Sequence, residues 1–208
     1  MTLLDPTVLA EVNVAWVTTR AAGIVALVAS TASIVLGLTL AGRLAKGRGR
    51  LGDARVLHQT FGIATIVALA VHVLSLLFDP WLRPTLVELG VPFALDYRPL
   101  WTGLGIVAGY GFIVLGMSGF LRSRMGAAWK YVHRSVGLAW VLSVGHTIGS
   151  GSDTGTWWMT AITAACVVPV AVLLAMRVHA GRARSGDRPA TPRATPQARA
   201  DALLRAQR

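Results

Sequence analysis

The sequence predicts an all-α integral membrane bundle of five transmembrane helices, with its N-terminus outside and its C-terminus cytoplasmic. Three observations carry that prediction. Of 208 residues, 54% are hydrophobic and only 14% charged, outside the habits of soluble domains. Five apolar windows approach or reach the roughly 20 residues that cross a hydrocarbon core about 30 Å thick. The cations lie mostly on one side of those windows, as the positive-inside rule requires.

The windows are residues 21–40, 56–77, 100–120, 132–148 and 157–176. All five are read as helices, because an open sheet edge in lipid leaves backbone groups unpaired. The fourth is the shortest and most polar. Small residues crowd the third (Gly103, Gly105, Gly109, Gly111, Gly116, Gly119), which lets helix backbones approach closely in lipid. Of 20 Lys and Arg, 17 fall in the loop after the first window, in "RSRMGAAWKYVHR" and in the C-terminal tail. Arg20, Arg83 and Arg98 lie on the opposite side with six of the nine acids. Trp81, Trp101, Trp157 and Trp158 mark the outer boundary as an aromatic belt. The net charge of +11 therefore reports topology, and no nucleic-acid partner is expected.

Three segments follow: an outer N-terminal segment, 1–20; a membrane bundle, 21–176; and a basic, disordered cytoplasmic tail, 177–208, too short and polar to bury a core. No cleavable signal peptide is expected, because the first apolar run follows Asp5 and Glu11 rather than a basic stretch. The outer connection from Asp79 to Pro99, with four prolines, is read as a cap over the mouth of the bundle. The inner loop spells Gly47-x-Gly49-x-x-Gly52, but no strand precedes it, so it is not a dinucleotide site. The lone Cys166 is read as a packing residue. Low lysine with high arginine and alanine points to a GC-rich bacterial genome.

The chemistry-bearing residues are four histidines inside the windows, where ionisable side chains are costly and usually functional. His58 and His72 are 14 residues apart, about 21 Å along a helix with an angular offset of about 40°. His133 and His146 are 13 apart, about 20 Å along a helix. The second and fourth windows run in the same direction, so His58 can face His133 and His72 can face His146. Two imidazoles facing across a bundle are what six-coordinate haem iron needs. Gly62 and Gly137, one turn after His58 and His133, thin the helices beside a flat porphyrin. Two haems are expected. Thirteen residues on one ideal helix leave His146 about 140° away from His133. Either that helix deviates or regular structure is ending at His146, which makes the inner pair the site if only one haem binds. Zinc would call for nearby cysteines or carboxylates. A proton relay would usually recruit Asp or Glu within the windows. His179 is read as interfacial.

These residues resemble the ferric reductase-like transmembrane domains found in ferric reductases, NADPH oxidases and the haem subunit of the bacterial methionine sulfoxide reductase system. The likeness rests on the paired histidines and on Trp129-Lys130-Tyr131-Val132-His133-Arg134, a tryptophan four residues before a His-Arg pair, and spans about residues 56–148. It implies b-type haems ligated by His58 and His133 on the inner side and by His72 and His146 on the outer. Arg134, with Arg55 or Lys130 as alternates, would meet the inner propionates, and Arg20 or Arg98 the outer ones. Ordinary positive-inside charge is the competing account of Arg134. The tail holds no flavin or nicotinamide domain, so the donor is expected to be a separate flavoprotein or quinol. The expected function is that of a multi-pass cell-membrane oxidoreductase subunit, passing electrons outward to ferric iron, oxygen or a soluble protein. The alternative is a haem- or quinone-binding sensor or interaction module without transmembrane electron transfer.

Overall fold

The computed structural model describes residues 13–41 and 48–186. These residues are all-α. In chain order the helices are α1 (Val14–Ala41), α2 (Arg48–Leu76), α3 (Leu86–Gly90), α4 (Pro99–Met117), α5 (Arg122–Met125), α6 (Trp129–Arg134), α7 (Val136–Ser150) and α8 (Trp157–Gly186), with a 3₁₀ turn at Gly126–Ala128 between α5 and α6. Asn13 starts α1, its side-chain oxygen accepting from Trp16 N at 3.0 Å. Pro99 occupies the first turn of α4, where its missing N–H costs nothing.

Four of these helices are long and apolar enough to cross a membrane: Val14–Ala41, Arg50–Leu76, Pro99–Met117 and Trp157–Arg182. The protein is a multi-pass integral membrane helical bundle. The apolar window at 132–148 is divided at Ser135 into α6 and the 15-residue α7. Ser135 N sits within 3.2 Å of both the Tyr131 and Val132 carbonyls, and Leu138 N bonds back to Ser135 O at 2.9 Å. That i→i+3 bond is the tighter 3₁₀ kind.

Two antiparallel pairings dominate, α1 with α2 and α4 with α7. They meet in a core of Phe112, Ala139, Trp140 and Val170, flanked by Ile34, Val35, Leu38, Ile66, Leu69 and Val144. Small residues set the spacing, as the third window predicts: a Cβ on Gly111 would stand 2.6 Å from that of Ala139. One polar tie crosses this core. The indole of Trp140 donates to Thr31 Oγ1 at 2.9 Å, and that hydroxyl donates to Leu27 O at 2.7 Å. Apolar side chains on the other face of α2 (Val56, Ile63, Val67, Val71, Leu74) are exposed, as lipid-facing positions should be. Cys166 is buried in α8.

The connection between α2 and α4 is ordered by its own side chains. Asp79 is buried, and one carboxylate oxygen accepts from Trp81 N and Leu82 N. Thr85 and Glu88 form a capping box at the start of α3. Further on, Tyr97 donates to Ser150 O at 3.3 Å and Arg98 to Gly149 O at 2.6 Å. The connection is thereby fastened to the C-terminal end of α7.

Two boundaries differ from the sequence reading. Helix α1 begins at Val14, inside the segment assigned to 1–20, and α8 runs to Gly186, so residues 177–186 are helical rather than disordered. A helix needs local propensity, not hydrophobicity, to continue past an apolar run, and Ala and Arg supply it. By their contacts, the described residues up to Leu174 form one unit, and residues 175–186 belong to a second. The rest of the tail, 187–208, and Gly47 of the glycine spelling lie outside the described residues. Gly49 and Gly52 are in the first turns of α2.

Candidate functional site

The four intramembrane histidines come together as two pairs. His58 of α2 and His133 of α6 have ring centroids 5.9 Å apart with planes at 81°. His72 of α2 and His146 of α7 have centroids 6.2 Å apart with planes at 84°. The pairing predicted from helix direction is the one observed. The 140° phase mismatch between His133 and His146 is resolved by deviation of the helix: the interruption at Ser135 separates the two residues onto α6 and α7, and His146 lies inside α7, four residues before its end.

Neighbouring helices hold each ring by its Nδ1. The carbonyls of Ser33 and Thr19, both on α1, accept from His58 and His72 at 2.8 Å each. The Trp101 carbonyl on α4 accepts from His146 at 2.9 Å. His133 Nδ1 faces Ser118 Oγ at 3.4 Å, and that hydroxyl donates to the Leu115 carbonyl. A carbonyl can only accept, and the Ser118 hydroxyl already donates to Leu115 O, so Nδ1 carries the proton and Nε2 is left with the free lone pair. That is the arrangement of a metal-ligating imidazole with its outer support in place.

Several contacts of this site were not legible in the sequence, although Trp129 and Arg20 themselves were named there. Gly23 and Gly37 on α1 stand against the rings of His72 and His58, at 3.0 and 3.2 Å from an ideal Cβ. A Cβ on Gly105 of α4 would overlap the His146 ring. Trp129 stacks on His133, centroids 5.1 Å apart and planes within 16°. Its indole Nε1 is buried without a hydrogen-bond partner, as is the Nε of Arg20. Arg20 otherwise pairs with Asp153 and lies over the Trp16 ring. The spacing of Gly23 and Gly37, 14 residues like that of His58 and His72, is the signal that could have found the α1 contacts.

Of the remaining candidates, Gly137 has open space where a Cβ would project, and Gly62 only Ser33 Oγ at 3.8 Å. Arg134 is exposed in the last turn of α6, and Arg55 and Lys130 are exposed too. Arg98 reaches the Gly149 carbonyl. His179 is exposed on α8. Among the described residues, no group of three or more His, Cys, Asp or Glu side chains converges as a bare metal-ion site. The histidines occur as facing pairs.

The family model "Ferric reductase like transmembrane component" matches residues 22–144, more than half of the chain. The chain belongs to that family. The match takes in α1 from Ala22 onward, both histidines of α2, α4 and His133, and ends two residues before His146. It begins earlier than the stretch on which the sequence likeness rests, and so includes Ser33, whose carbonyl holds His58, while Thr19, which holds His72, lies three residues before its start. Neither the comparison with curated proteins nor that with solved structures gave a match.

Proposed function

We propose that this ferric reductase-like protein is a di-haem b electron conduit, in which His58 and His133 are axial ligands of an inner haem and His72 and His146 of an outer one. The observation that carries the reading is two imidazole pairs, each at sandwich separation, with the Nδ1 of every ring engaged from outside. A metal–imidazole bond of about 2.0 Å and about 1.1 Å from nitrogen to ring centre put coaxial ring centroids about 6.2 Å apart. The measured 5.9 and 6.2 Å fit that figure.

Other features support the same group. The open space beside Gly137 suits a flat macrocycle. The unpartnered Trp129 Nε1 lies beside the inner pair, and Arg20 adjoins Thr19, whose carbonyl holds an outer ring. Both are donors suited to propionates. Bound haem supplies one-electron redox chemistry, and the protein sets its ligands, burial and hydrogen bonds.

In this reading α6 and α7 together form the fourth of five membrane crossings, the N-terminus is outside and the C-terminus cytoplasmic. The protein works in the cell membrane as an oxidoreductase subunit. A flavoprotein or quinol donates on the cytoplasmic side, and ferric iron, oxygen or a soluble protein accepts outside. The direction rests on the cation bias of the loops.

Pyridine haemochrome on detergent-purified protein should give two b-type haems per chain, falling to one in His58→Ala and in His72→Ala. Vesicles loaded with reductant should then reduce an external ferric chelate. A chain that takes up no haem when haem is supplied during expression refutes the reading. Bound haem without transfer across the vesicle leaves a sensory module instead.

A further inference from the structure

The supports behind the imidazoles repeat with the same period as the imidazoles themselves. On α1 the acceptor carbonyls belong to Thr19 and Ser33, and four residues after each comes a glycine, Gly23 and Gly37. Each glycine lies against the ring whose Nδ1 its carbonyl partner holds: Gly23 against His72, Gly37 against His58. The interval is 14 residues on α1 and 14 on α2, about 21 Å on both antiparallel helices, so both contacts stay in register. Helix α4 does the same for the other hairpin. The Trp101 carbonyl holds His146, and Gly105, four residues on, is where that ring sits. Leu115, 14 residues after Trp101, is reached through Ser118, whose hydroxyl donates to the Leu115 carbonyl and faces His133 Nδ1 at 3.4 Å. There the glycine contact is missing. Gly119 lies beyond the end of α4 and meets only the Gly116 carbonyl, and the Trp129 stack fills its role.

The physical reason is steric. A main-chain carbonyl lies close to its helix axis, so an imidazole on the next helix reaches it only where the adjoining residue one turn away has no side chain. Glycine grants that approach. The hydrogen bond then fixes the tautomer and ring orientation and raises the basicity of Nε2. We infer that Gly23, Gly37 and Gly105 are positioning residues for the haem ligands, each assigned to one ring: Gly23 and Gly105 to the outer pair, Gly37 to the inner pair. The inference rests on the haem reading above and adds to it which residues of the non-ligating helices tune which haem.

The three sites are graded. An alanine methyl at Gly37 or Gly23 requires its histidine to shift by only a few tenths of an ångström, whereas at Gly105 it overlaps the ring outright. Gly116 on α4 has nothing within 4 Å of its Cβ position and serves as the control. The experiment is a redox titration and low-temperature EPR of the ferric haems in full-length protein purified in detergent. The two signals are assigned from the single-haem variants His58→Ala and His72→Ala. Gly105→Ala and Gly23→Ala should shift or lose the outer signal alone, Gly37→Ala the inner alone, and Gly116→Ala neither. Loss of an outer support should weaken haem retention by about 10- to 100-fold, with Gly105→Ala at the upper end. Gly23→Ala and Gly37→Ala, being mild, keep the test informative if Gly105→Ala fails to fold. Equal changes in both haems, or spectra and potentials like those of Gly116→Ala at all three positions, overturn the inference. A wild type with no haem overturns the haem reading instead, so the two failures are distinct.

Discussion

The Trp140–Thr31 hydrogen bond ties the two hairpins together, and removing it should cost a measurable amount without regard to any cofactor. Trp140 and Thr31 are each 6% exposed, so water cannot replace a lost partner. In Thr31→Val the indole N–H loses its acceptor, while Leu27 O keeps its place in the α1 ladder. An unpaired buried donor costs about 1–3 kcal/mol in a protein interior, but interhelical bonds in membrane proteins couple by about 0.6 kcal/mol on average and about 1.7 at most. The second range decides the expectation, because the unfolded helices in detergent also find partners. Trp140→Phe removes the donor and part of a buried ring, at less than the about 3–5 kcal/mol typical of truncation to alanine. The double variant isolates the bond from the lost volume. We expect a coupling of about 0.6–1.7 kcal/mol by SDS unfolding in mixed micelles. Because the tie lies between the histidine pairs, Thr31→Val should loosen both together, unlike the glycine variants. Additive single variants, with coupling inside about 0.3 kcal/mol, would refute the reasoning.

Two further outcomes follow from local geometry. Gly111→Ala forces a methyl to 2.6 Å from Ala139 Cβ and should destabilise by about 1–3 kcal/mol, whereas Gly116→Ala, in open space on the same helix, should stabilise by about 0.5–1 kcal/mol; the same SDS titration compares them. Outside the membrane, the Thr85 backbone N–H and then its hydroxyl hold the exposed Glu88 carboxylate below its ordinary pKa. A depressed carboxylate contributes above its unfolded pKa and loses that contribution as pH falls through the folded one, so the α3 cap should be intact at neutral pH and fray in acid. Thr85→Ala should return Glu88 toward the ordinary carboxylate range by NMR titration.

What the sequence revealed and what it hid divide along a physical line. Hydrophobic windows are properties of side chains, so the apolar runs and their cation bias could be read directly. The histidine frame was readable for the same reason: 14 residues bring His58 and His72 to one face of an unbroken α2. The His133–His146 phase was not, because the interruption at Ser135 involves no proline or glycine at that residue. It is a matter of where backbone hydrogen bonds tighten, and only tertiary packing announces it. Least legible were the supports on α1 and α4. A carbonyl has no identity in the sequence, so Thr19, Ser33 and Trp101 act through the one group every residue shares. Only the glycines that admit the imidazoles to those carbonyls leave a trace. Seen alone, Gly23 and Gly37 are ordinary residues of a membrane helix. Their 14-residue interval becomes meaningful only beside the equal interval on α2, for two antiparallel helices hold two contacts in register only when their spacings agree. Pairing α1 to α2 by matching intervals, rather than reading each window separately, would have located the helix that orients His58 and His72.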